Sequence, residues 1–133
     1  MMNRILRLLA VALALFALNV QARTATMGTF ENLPITDSRG QPASAAQIKA
    51  AVALGAGIKG WQVSANGNDS AIATVQVRGK HTVTTELVWS AGQFSVRYKD
   101  SINMNYTGTD IHPSYNAWVQ GLVDAIRTAA TRL

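Results

Sequence analysis

The side chains whose types and spacing could together do acid-base or nucleophilic chemistry centre on the two histidines, His81 and His112, with the acids Asp100 and Asp110 near the second and Ser101 and Ser114 beside them. A metal centre would need ligand spacings such as HxxxH or HExxH, and neither is present. A Ser-His-Asp set can be assembled from Ser101 or Ser114, His112 and Asp100 or Asp110, but any polar loop of this composition permits that, and no GxSxG elbow accompanies it. Asp100 and Asp110 lie in one segment, so a glycosidase-type carboxylate pair is equally unsupported. The blander readings are that His81 sits at the solvated start of a strand beside Lys80 and that His112, extended because Pro113 follows it, fixes a loop-to-helix junction. Gly55-Ala56-Gly57-Ile58-Lys59-Gly60 spells GxGxxG, yet a helix precedes it and a strand follows, the reverse of a dinucleotide-binding turn. The absence of Cys removes disulfides, thiol catalysis, iron-sulfur clusters and Cys-based zinc sites. The expectation is therefore no cofactor, no metal and no catalytic set.

What remains is a concentration of aromatic, amide and charged groups: Tyr98, Lys99, Asp100, Ser101, Tyr106, His112, Tyr115 and Asn116. In one reading these side chains satisfy loop and helix-end backbone groups and cover the edge of a core. In the other they line a shallow pocket for a small ligand or a partner's segment. The two readings stay open at this level.

The elements that would position this cluster follow from periodicity. Residues 23–42 carry few apolar groups (Met27, Phe30, Leu33, Ile35) among Thr, Ser, Gly and Pro, and read as an extended lead-in to a single domain over residues 43–133. Ser44 with Gln47 forms a capping-box pattern opening a helix over residues 45–58, with Ile48, Ala51, Val52 and Gly55 inward and Gly60 as its left-handed stop. Gly55 and Gly57 weaken its last turn. Four runs of period two follow. Trp61, Val63 and Ala65 share a face of the first, Ala73, Val75 and Val77 of the second, Val83, Thr85, Leu87 and Trp89 of the third, and Phe94, Val96 and Tyr98 of the fourth. Gln93, Ser95, Arg97 and Lys99 then point outward. Residues 100–110 read as a loop, and a second helix starts at Pro113 or Ser114 with Tyr115, Trp118, Val119, Leu122, Ile126 and Ala129 on one stripe. The fold class is α+β: a four-stranded antiparallel meander with an N-terminal and a C-terminal helix on one face, and all three Trp residues directed to the core.

Arg4 and Arg7, an apolar run from Leu8 to Leu18 and the small residues Val20 and Ala22 form a signal-peptide pattern over residues 1–22. The run is too short for a membrane span, which needs roughly 20 residues. The chain of 133 residues has a net charge of +5; without Arg4 and Arg7, ten basic residues face seven acidic ones, leaving +3. No basic run supports nucleic-acid binding. The expected product is a soluble periplasmic protein, monomeric and without an anchor, that meets an envelope partner or a small ligand.

The runs Tyr98–Tyr106 (YKDSINMNY) and Ile111–Val119 (IHPSYNAWV), with Gly60-Trp61 and the turn Arg78-Gly79-Lys80-His81, resemble a family of small exported bacterial proteins of unknown function, many of them carrying a lipoprotein label. The similarity spans about Ser44 to Ile126. It implies the same helix, four strands and helix, an envelope location, and no agreed activity. This chain has Ala22 where the lipoprotein members have a Cys, which implies a soluble form. The expectation is thus a binding or interaction module; the alternative is a small envelope hydrolase using His112 with a neighbouring acid.

Overall fold

The computed structural model describes Arg23 to Leu133; the leader expected over residues 1–22 lies outside the described residues. In chain order the elements are β1 (Ala25–Thr26), β2 (Phe30–Pro34), α1 (Ala45–Ile58), β3 (Gln62–Ala65), β4 (Ser70–Val77), β5 (His81–Ser90), β6 (Gln93–Ile102), β7 (Asp110–Ile111) and α2 (Ser114–Ala130). The meander β3-β4-β5-β6 is antiparallel throughout, as its period predicts. The sheet nevertheless has five strands, in the order β2-β6-β5-β4-β3, and β1 pairs separately with β7. The expected four-stranded sheet is therefore corrected to five, because the lead-in is not a bystander. Phe30 and Leu33 of β2 pair with Val96 and Phe94 of β6. Asn32 breaks the alternation between them by taking a positive φ of 51°, and Pro34 closes the strand on an edge where its missing N–H costs no ladder bond.

Cross-strand register assigns the inner face. Ala71, Ala73 and Val75 of β4 stand opposite Leu87, Thr85 and Val83 of β5, and Leu87 and Trp89 stand opposite Val96 and Phe94 of β6. These side chains are buried in one cluster with Ile48, Val52, Val119, Leu122 and Ile126 from the two helices. Thr85 sits in this apolar face as predicted, because its hydroxyl donates to the Ala73 carbonyl at 3.2 Å. Val63 and Ala65 pair with Ala73 and Ala71 but are exposed, so the apolar face of β3 is uncovered. Ser95, expected in solvent, is buried because the backbone N–H of Asn32 donates to its Oγ at 2.9 Å.

The helices are built as their termini dictate. Ser44 and Gln47 complete the capping box at 3.1 and 2.9 Å, and Gly60, at φ 79°, turns the chain out of α1 while the Trp61 N–H donates to the Ala56 carbonyl at 2.9 Å. Gly55 is not a weak point. A Cβ there would lie 2.6 Å from the Ile126 backbone nitrogen and 2.7 Å from the Ala125 carbonyl carbon, so α2 crosses α1 in direct backbone contact at this residue.

Among the described residues no helix is long and apolar enough to cross a membrane.

Candidate functional site

The predicted cluster begins at an irregularity in β6. Thr84 pairs with Asp100 and Thr85 with Tyr98, which leaves Lys99 as an extra residue and shifts the register. A bulge of this kind resets the alternation. Tyr98 and Ser101 consequently face the same inner side, and their hydroxyls are hydrogen-bonded at 2.7 Å. Asp100 falls on the opposite face, across from Thr84, and its carboxylate accepts from the Ser101 N–H at 2.8 Å. Strand β6 therefore runs through Ile102, two residues beyond the expected loop start at Asp100.

The shortened loop is pinned by Met104, which is fully buried between Asn103 and Asn105, both at positive φ (59° and 54°). Asn tolerates this left-handed conformation better than most side chains. The loop carries Tyr106 back over the strand, where its ring stacks on Tyr98 with centroids 4.1 Å apart and planes inclined by 25°. Tyr115, from the first turn of α2, meets the same ring edge-on at 6.1 Å. Tyr98 is thus the hub of three tyrosines: Tyr115 is buried beneath it, Tyr98 half-buried, and Tyr106 45% exposed. Burial pushes the Tyr115 phenol up to about 12 and also raises that of Tyr98. Beside the hub a cleft of about 210 Å³ opens between residues 27–31 and residues 96–98. Arg97 forms a two-pronged bond to Glu31 at 2.9 and 3.2 Å on the sheet side of that cleft, which holds the Glu31 carboxyl below its ordinary range.

Asn116 does different work. Its Oδ1 accepts from the Gly28 N–H at 2.7 Å and its Nδ2 donates to the Thr26 carbonyl at 2.9 Å, so one side chain clasps the N-terminal arm to α2. Replacing it with Ala unpairs both backbone groups. Asn116→Ala is expected to cost about 1–2 kcal/mol and, in limited proteolysis, to expose the segment between Arg23 and Thr29 to cleavage well before the rest of the chain.

His112 lies outside the tyrosine hub. Its ring is 5.2 Å from that of His81 and stacks on Trp118 at 6.4 Å with planes 14° apart. The Ser114 N–H donates to His112 Nδ1 at 3.1 Å, so the neutral ring carries its proton on Nε2 and fills the capping role for which Pro113 has no side-chain donor or acceptor. His81 Nδ1 lies 2.7 Å from the Asn103 carbonyl, which only accepts; its proton is therefore on Nδ1. The two rings take opposite tautomers. A shared metal on both Nε2 atoms would require His112 to give up its bond to the helix start. Among the described residues no carboxylate is hydrogen-bonded to either ring and no group of three His, Cys, Asp or Glu gathers to hold a metal ion. Trp118, expected in the core, is only half-buried and stands at its rim against the two histidines.

The eight predicted residues thus divide: Tyr98, Ser101, Tyr106 and Tyr115 form one hub, Asn116 clasps the arm, His112 caps α2 beside His81 and Trp118, and Lys99 and Asp100 belong to the bulge. Residues 27–31, which line the hub's cleft, carry no periodic signal that marks them as part of it. The available signal was Phe30 and Leu33, spaced three apart by a bulge and hence invisible to a period of two. Comparison with protein-family models, curated proteins and solved structures finds no match to this chain.

Proposed function

We propose that the chain is exported to the bacterial envelope, is cleaved after Ala22, and acts there as a soluble binding module whose contact surface is the tyrosine hub. The observation that carries the reading is Tyr106: nearly half exposed, yet held against Tyr98, which is itself tied to Ser101 and backed by Tyr115. Exposed tyrosines held in place by a rigid support are characteristic anchors of protein interfaces, since little rotamer freedom is lost when a partner covers them. The partner this supports is another envelope protein. The hydrolase alternative needs an acid on His112, and that ring's Nδ1 is engaged by the Ser114 N–H instead.

Two measurements test the reading. Intact-mass analysis of protein recovered from the periplasm should show a chain beginning at Arg23; retention of the leader overturns the soluble, exported form. Tyr106→Ala should change stability by no more than about 1 kcal/mol, the worth of one aromatic pair, while abolishing co-purification of the crosslinked envelope partner. Undiminished co-purification moves the contact surface elsewhere.

A further inference from the structure

A second concavity shares no lining residue with the cleft beside the tyrosine hub. It is a cleft of about 310 Å³ between α2 and β4, with Trp61, Val75 and Val77 on one wall and Ala117, Trp118 and Gly121 on the other. Its volume is at the lower end of small-molecule sites. The space has a definite origin. Ala117 and Gly121 are one turn apart on α2, and a Cβ built on Gly121 meets nothing within 4 Å, so the helix presents a gap to the sheet there, in contrast to its backbone contact at Gly55. Both tryptophans are fixed independently of any ligand. The backbone of Trp61 is tied to Ala56 by the bond that ends α1, and Trp118 stacks on His112, which caps α2.

One charged residue lines this apolar cleft: Lys59, the residue at the end of α1. Lys59 is exposed and also borders an adjoining groove with Asp124, but no acidic side chain lines this cleft and neither ion pair found among the described residues involves Lys59. A slot lined mostly by apolar side chains, with two tryptophans and a single cation held in no ion pair, complements one kind of small molecule. We propose that the cleft binds an amphiphilic anion, a compact apolar or aromatic body bearing one carboxylate or sulfonate group, with the body against Trp61 and Trp118 and the anionic group at the Lys59 ammonium. An ammonium held in no ion pair at such a slot gains a charge-assisted hydrogen bond on binding. This inference is independent of the tyrosine surface and stands or falls separately from it.

The test is a fluorescence titration of the purified protein with anilinonaphthalene sulfonate, an aromatic anion, and with its uncharged analogue N-phenylnaphthylamine. Saturable, one-site binding of the sulfonate is expected. Gly121→Leu and Ala117→Leu each fill the gap from α2, and either should weaken both dyes by at least about tenfold with no loss of melting temperature. Having two fillers keeps the test intact if one of them disturbs folding. Lys59→Met should weaken the sulfonate by about tenfold, the worth of one charge-assisted hydrogen bond, and leave the uncharged dye within about twofold. The proposal is overturned if the sulfonate shows no saturable binding, if folded filler variants bind both dyes like the parent, or if Lys59→Met weakens the two dyes equally.

Discussion

Gly55→Ala should destabilise the protein by about 3 kcal/mol or more, at the upper end of what overpacking a core does. The expectation reverses the usual sign, since Ala in place of Gly inside a helix ordinarily stabilises by about 0.5–1 kcal/mol. The reversal follows from geometry: the added methyl would stand 2.6 Å from a backbone nitrogen and 2.7 Å from a backbone carbon of α2, and neither atom can rotate away as a side-chain terminus would. The helices must separate, and Ile48, Val52, Leu122 and Ile126 lose their packing with them. Gly57 is the internal control. It lies two residues on in the same helix, and a methyl added there would meet nothing within 4 Å, so Gly57→Ala should stabilise by about 0.5 kcal/mol. Urea denaturation of the pair reads both; equal, stabilising shifts would show that the helix crossing is not at Gly55.

Tyr115→Ala should cost about 3–5 kcal/mol, as for other fully buried aromatics, because this ring is among the largest wholly buried side chains and supports Tyr98. Tyr115→Phe separates the ring from its hydroxyl. The phenol is raised from 10.0 to about 12 by burial, so it binds its proton more tightly in the folded chain than in the unfolded one. Below pH 10 both states are protonated and stability is unaffected; between pH 10 and 12 the unfolded chain ionises first and stability falls. Allowing for solvent screening, the loss is no more than about 2 kcal/mol. Thermal melts between those pH values should show the parent losing stability faster than Tyr115→Phe. Parallel curves would place the ring in a more solvated setting than the hub provides.

The regular part of the fold could be read from residue order because it obeys simple periods. Ser44 and Gln47, Gly60, the alternation from Ala73 to Val96 and the stripe from Tyr115 to Ala129 all act locally, and the structure realises them except at Ser95, which is buried, and Trp118, which is only half-buried. Residue order misleads where a local rule is interrupted for a tertiary reason. Asn32 and Lys99 each insert one residue into a ladder, which hid β2 as a fifth strand and made Asp100 and Ser101 resemble loop. Gly55 looked like a helix weakness because propensity is blind to the neighbouring helix that requires it. The candidate site shows the same division. The tyrosines could be recognised as a group by their types, but their stacking order depends on the Lys99 bulge and on Met104 anchoring the loop, neither of which has a periodic signature. His112, adjacent in sequence to the cluster, turns instead to Trp118 and the start of α2.

Photo-crosslinking tests the proposed role of the tyrosine face most directly. A benzophenone amino acid in place of Tyr106 should, on irradiation of exporting cells, give a discrete adduct with one envelope protein, whereas the same group in place of Gln62, exposed on the edge strand β3, should not. An adduct at residue 62 with none at residue 106 would contradict the account.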